Sequence, residues 1–222
     1  MMRINLMTYP IRSKICGITS PQDALHAANL GADAIGLVFY EASPRCVTIE
    51  QSQAIVSVLP AFVSVVALFV NAQPSWIEHI LEKVPVDILQ FHGDESDDFC
   101  RQFHRPFIKA VRVASSQDIQ AASLQFPHAK ALLLDAYHPH LYGGTGKAFD
   151  WHLLQQNPPS RSWILAGGLT PENIAQALTI TQAKAVDVSG GVEVSKGVKD
   201  VDKMKRFLET VDLHFKFKKD FQ

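Results

Sequence analysis

Cysteine is scarce in this 222-residue chain. There are three (Cys16, Cys46 and Cys100), an odd number whose spacing suits neither a zinc site nor a disulfide framework. Each thiol is read as free, which fits a reducing, cytoplasmic setting. Long apolar runs are missing too. The longest, residues 61–70, is ten residues with Ser64 inside it, against roughly 18 needed to cross a bilayer. The chain therefore reads as soluble, with no membrane partner. The opening MMRINLMTYPIRSK has neither a continuous apolar segment nor a small-residue cleavage site, so no secretory signal is expected. Charge of one sign is also lacking. With 21 Lys+Arg against 22 Asp+Glu the net charge is −1, which leaves no basic footprint for nucleic acid. His138-Pro139-His140 finds no third ligand in the sequence, so no metal is expected.

What is present is a well-filled globular composition. Hydrophobic residues make up 47% and charged residues 19%, enough for one large domain with its own core. Eight apolar, β-rich runs recur: KICGI (14–18), AIGLVF (34–39), VSVVALFV (63–70), DILQF (87–91), FIKAVRV (107–113), KALLLDA (130–136), WILAGG (163–168) and AVDVSG (185–190). They alternate only in part, as parallel strands covered on both faces do. Helix signals separate them. Ser20-Pro21 and Thr170-Pro171 each place a capping hydroxyl before a proline, and Thr48 to Gln51 reads as a capping box. Val201, Met204, Leu208 and Val211 form a stripe at helical spacing. Eight βα units imply an α/β fold, a single closed (β/α)8 barrel of the TIM type. The competitor is a doubly wound open sheet, which would normally carry a Gly-x-Gly-x-x-Gly turn after its first strand. Cys16-Gly17-Ile18-Thr19 is not one. The expected division is an extension over residues 1–12, the barrel over 13–212 and a surface tail over 213–222.

In such a barrel the chemistry lies at the C-terminal ends of the strands. Reading those ends in order gives Cys16, Arg45, His92, Asp135, Gly167-Gly168, and Asp187 with Ser189-Gly190-Gly191. Glycine pairs after the seventh and eighth strands suit a phosphate, because amides can approach an oxyanion with no Cβ in the way. The alternative is that these glycines only make tight turns. Asp135 follows three leucines, a costly place for a carboxylate without a partner or a wet cavity. Cys16 taken alone reads as a small buried hydrophobe. Together, a thiol and a carboxyl across one cavity make a base and an acid, provided cations lower the thiol and burial raises the carboxyl. Tyr142 to Lys147 (YGGTGK) lacks the spacing of a nucleotide loop and reads as a mobile loop flanking the site.

Seven segments together resemble one family. KICGIT at 14–19, FYEASPR at 39–45, LQFHG at 89–93, LLLDA at 132–136, YGGTGKAFDW at 142–151, LAGGLTPENI at 165–174 and VDVSGGVEVSKGVKD at 186–200 are similar, in order, to phosphoribosylanthranilate isomerase of tryptophan biosynthesis. The resemblance implies an Amadori rearrangement of N-(5-phosphoribosyl)anthranilate with neither metal nor organic cofactor. It makes Asp135 the general acid and Cys16 the general base. Arg45 is then the partner of the anthranilate carboxylate, a task suited to a planar, always charged fork. His92 and Asp187 line the substrate cavity. Gly167, Gly168, Ser189, Gly190 and Gly191 hold the phosphate. One departure concerns that last segment, where the family commonly reads Ser-Ser-Gly and this chain reads Ser189-Gly190-Gly191.

The partner implied is a small phosphorylated substrate, bound by a monomer or homodimer. Sister barrels are the nearest alternatives. A phosphosugar isomerase of histidine synthesis would need a carboxylate where Cys16 stands, and a ribulose-phosphate epimerase would need metal ligands. A non-catalytic phosphosugar-binding protein would have no use for the thiol and carboxyl together.

Overall fold

The computed structural model describes residues 10–136 and 150–220. The strands are β1 (Arg12–Cys16), β2 (Ala34–Val38), β3 (Ser64–Phe69), β4 (Ile88–Phe91), β5 (Phe107–Val113), β6 (Ala131–Ala136), β7 (Trp163–Leu165) and β8 (Ala185–Val188). Each pairs in parallel with the next, and β8 returns to β1 through Arg12↔Ala185 and Lys14↔Asp187, so the sheet closes on itself. Helices α1 (Pro21–Asn29), α2 (Ile49–Ser57), α3 (Pro74–Lys83), α4 (Asp97–Arg101), α5 (Ser116–Gln125), α6 (His152–Gln156), α7 (Ile174–Thr181) and α8 (Val201–Asp220) follow the strands. A hairpin of β9 (Glu193–Ser195) and β10 (Val198–Lys199) stands between β8 and α8. This is the (β/α)8 barrel expected from the repeat.

Period-two alternation sorts each strand onto two faces. Ile15, Phe107, Leu132, Leu134, Val186 and Val188 join helix residues such as Ala24, Ile55, Ile119 and Met204 in one large outer layer. Their neighbours in sequence point the other way. Cys16, Val38, Leu68 and Val70 form one cluster, and Ile108, Ala110, Leu133 and Ala166 another, made of strand-side residues alone. Those clusters fill the ring itself. A side chain two residues from Cys16 or Leu133 therefore also points inward.

Local chemistry accounts for most element ends. Ser20 Oγ accepts from the Asp23 amide ahead of α1, and Thr48 with Gln51 closes both bonds of a capping box on α2. The start of α7 differs from the sequence expectation. Residues 171–173 form a turn and the helix begins at Ile174. Asn173 explains the shift: its Oδ1 accepts from the Thr170 amide and its Nδ2 donates to Gly168 O, both at 2.8 Å. Those bonds spend Asn173 on fastening the loop after β7. At the other end α8 runs on to Asp220, past the stripe that ends at Val211.

Candidate active site

All the expected site residues in the described chain sit at the C-terminal rim of the ring. Cys16 ends β1, Asp135 is the last but one residue of β6, and Asp187 stands one residue from the end of β8. His92 directly follows β4, and Arg45 lies in the loop after β2. His138, His140 and the Tyr142 to Lys147 loop fall outside the described residues. Among those described, no group of three His, Cys, Asp or Glu is placed to hold a metal ion. Nor is any helix among them long and apolar enough to cross a membrane.

Two clusters of polar side chains stand on the inward face of the strands. On one side, His92 Nε2 lies 3.3 Å from Asp135 Oδ2. Gln90, two residues earlier and so on the same face, places its Nε2 3.2 Å from His92 Nδ1. Asp135 and His92 are 7% exposed, so this pair is sheltered but open at the mouth.

On the other side stand Cys16, Lys14 and Asp187. Lys14 shares the inward face with Cys16 and meets Asp187 across the β1–β8 seam, with Nζ 2.9 Å from Oδ1. Burial pushes the Cys16 thiol above its ordinary value. Lys14 and Lys199 pull it down, while Asp187 pushes it up. The sequence expectation of a thiol lowered by cations is thus reversed, for a clear reason. Each nearby cation already has an anion of its own, Asp187 for Lys14 and Glu193 for Lys199.

Arg45 is engaged in a second network. Its Nε and Nη2 donate to Glu193 Oε1 and Oε2 at 2.7 and 2.8 Å, a bidentate fork. Glu193 also takes Lys199 Nζ at 2.8 Å. Burial works against the Glu193 charge, but the two cations overcome it and hold the carboxyl below the usual range. Lys199 is wholly buried, and its ammonium donates to Cys16 O at 2.6 Å and Ser189 O at 3.3 Å. One lysine therefore ties the end of β1 to the loop after β8.

The glycine turns are shaped by close approach. Gly167 and Gly168 have φ of 80° and 65°, which side chains rarely adopt. A Cβ on Gly191 would run into Leu169 O, so the loops after β7 and β8 touch backbone to backbone. Lys14, Gln90, Glu193 and Lys199 escaped the sequence reading. Strand parity could have found Lys14 and Gln90, each two residues before a selected one. Glu193 and Lys199 come from a hairpin that carries no comparable pattern.

A family model described as N-(5'phosphoribosyl)anthranilate (PRA) isomerase matches residues 13–210. The chain is 61% identical over 202 residues to the N-(5'-phosphoribosyl)anthranilate isomerase of Neisseria meningitidis serogroup A, covering 91% of this chain and 97% of the relative. To that of Pseudomonas fluorescens it is 55% identical, covering 90% and 95%. Among solved structures, phosphoribosyl anthranilate isomerase from Thermotoga maritima is similar with a TM-score of 0.84 and 39% identity, covering 90% of this chain and 98% of that one. A structure of such an isomerase in complex with reduced 1-(o-carboxyphenylamino)-1-deoxyribulose 5-phosphate is also similar. It has a TM-score of 0.79 and 37% identity, and covers 90% and 98%.

Proposed function

This chain belongs to the N-(5'-phosphoribosyl)anthranilate isomerase family, and on that premise we propose how the rim of its barrel performs the reaction. The reaction is the isomerisation of N-(5-phosphoribosyl)anthranilate to 1-(2-carboxyphenylamino)-1-deoxyribulose 5-phosphate in tryptophan biosynthesis. Asp135, on the β6 side, protonates the furanose ring oxygen, and the ring opens to a Schiff base. Cys16, on the β1 side, removes the proton from sugar C2 to give an enolamine. That species gains a proton at C1, loses its hydroxyl proton and becomes the ketone. Arg45 grips the anthranilate carboxylate. The amides of Gly167, Gly168, Gly190 and Gly191 and the Ser189 hydroxyl take the phosphate. His92 holds Asp135 in place, and Asp187 faces the sugar.

The observation that supports this reading is the pair of inward-facing groups. Thiol and carboxyl project from β1 and β6, strands three places apart around an eight-stranded ring, with phosphate-suited turns on β7 and β8 between them. The test is to add purified protein to freshly made substrate and follow loss of anthranilate fluorescence. Cys16→Ser is expected to bind ligand yet lower kcat by about 10²–10⁴, since a hydroxyl is a far weaker base. Turnover near that of the unaltered protein would remove the thiol from the mechanism.

The setting proposed is the cytoplasm, supported by three free thiols. The near-zero net charge supports a small-molecule partner over nucleic acid. One solved relative, from Thermotoga maritima, is described as monomers of a dimeric isomerase. Monomer or homodimer is proposed here too, to be decided by mass in solution.

A further inference from the structure

Lys14 has no role in the proposed chemistry, yet its position is costly. Its side chain is 6% exposed inside the ring, where an ammonium loses most of its hydration. Three features of the strands build a niche for it. In register, Lys14 lies directly opposite Asp187 on β8, and Cys16 directly opposite Gly36 on β2. Gly36 leaves open the space its side chain would fill. A Cβ there would stand 2.7 Å from Cys16 Sγ and 3.1 Å from Lys14 Nζ. Sulfur and ammonium border the same small volume and so lie less than about 6 Å apart, within the range where one charge governs another group's ionisation. Lys14 is thus placed between two groups that can carry negative charge, Asp187 and Cys16.

We propose that Lys14 is a positioning residue for the catalytic thiol: shared between Asp187 and Cys16, its ammonium makes the thiolate of Cys16 attainable. The proposal rests on Cys16 being the base. In the empty site Asp187 takes most of the ammonium, and the thiol keeps its proton. A sugar hydroxyl donating to Asp187 weakens that hold, and Lys14 then serves the sulfur. The thiol proton leaves through the open mouth to water, and the thiolate is ready for the proton at C2. The other charged groups acting on the thiol are Lys199 from β10 and Arg45 from the loop after β2, both committed to Glu193.

The experiment titrates the thiol directly. Thiolate ultraviolet absorbance is followed against pH in the full-length protein, with Cys16→Ser subtracted to remove Cys46 and Cys100. Lys14→Met is expected to raise the midpoint by about 1–3 pH units, and Asp187→Asn to lower it. An unmoved midpoint in Lys14→Met, or an unmoved or raised one in Asp187→Asn, overturns the proposal. Should Lys14→Met fail to fold, Lys14→Gln decides in its place, because it keeps a polar group in the niche, removes the charge and carries the same expected rise in the midpoint. Kinetics give a second reading. Lys14→Met is expected to lose about tenfold in kcat at neutral pH for every whole pH step by which its midpoint rises, and to recover in alkali, which a merely structural defect would not do. In the unaltered protein the rising limb of kcat should lie at lower pH than that of kcat/KM, since only the former reports the filled site. Coincident limbs contradict the substrate-driven part. A fully active Cys16→Ser defeats the base assignment itself, whereas an inert Cys16→Ser with an unmoved Lys14→Met midpoint defeats only the role of Lys14.

Discussion

Two guanidinium nitrogens of Arg45 are already taken by Glu193, so at the scale of single residues this arginine is preorganised before any ligand arrives. The bonds that Arg45 donates to Glu193 raise it above its ordinary range, overcoming the opposing effect of burial. Arg45→Ala removes the fork and is expected to raise KM by about 10–100-fold with a smaller effect on kcat. Steady-state kinetics decides it, and an unchanged KM contradicts the carboxylate role. Arg45→Lys should recover little, because a point charge cannot hold both Glu193 oxygens and a ligand in one plane. Cys16, Asp135 and Arg45 were legible because each breaks the pattern of its surroundings. A thiol precedes a glycine, a carboxylate follows leucines, and an arginine closes Ser-Pro-Arg. Lys14 breaks no pattern. A lysine at the head of an apolar run looks like a solvated strand end; its parity with Cys16 turns it inward, and the closure of β8 onto β1 supplies its partner, Asp187.

At the scale of elements, the site depends on how the turns after β7 and β8 meet. Gly191 packs its backbone onto Leu169, whereas a Cβ on Gly190 would meet Arg45 Nη2 at 3.3 Å, a side-chain end that can give by a few tenths of an ångström without leaving Glu193. The two neighbours should therefore respond differently. Gly191→Ala is expected to cost about 1–3 kcal/mol and to raise KM for the phosphorylated substrate, because backbone cannot step aside. Gly190→Ala is expected to stay within about 0.5 kcal/mol. Thermal melts and KM for both variants check the contrast, and equal behaviour would mean that the two loops do not share a wall. The eight strands were readable from their alternation with caps, to within a residue or two in most cases. The starts of α1 and α2 were readable because their caps are local. The start of α7 was not, since Asn173 bonds back to Gly168 across a turn that only the folded loop defines. The β9–β10 hairpin was equally hidden, for Val194 and Val198 are largely exposed and give no buried face to detect.

At the scale of the whole molecule, buried thiols set the response to alkali. Burial pushes Cys100 up to about 12 from an ordinary 9.0. The unfolded chain releases this proton first, so between those two values folding loses stability as pH rises, and below 9.0 it loses none on this account. Cys16 acts in the same direction. Cys100→Ala should therefore melt at a lower temperature near neutrality, through its small cavity, yet decline less steeply across that window. Melting curves at stepped pH test this, and parallel slopes would sink it. The barrel was legible as a count of units and its closure was expected from that count, but the pairing across the seam was not, because it joins Arg12 to Ala185, far apart in the sequence. That seam has a consequence for synthesis. Until the eighth strand is made, β1 and β7 both present unpaired backbone edges, the kind that capture strands of neighbouring molecules. A nascent or truncated chain is then an open ribbon with two adhesive borders, and only the closing stretch of translation turns it into a hoop with none.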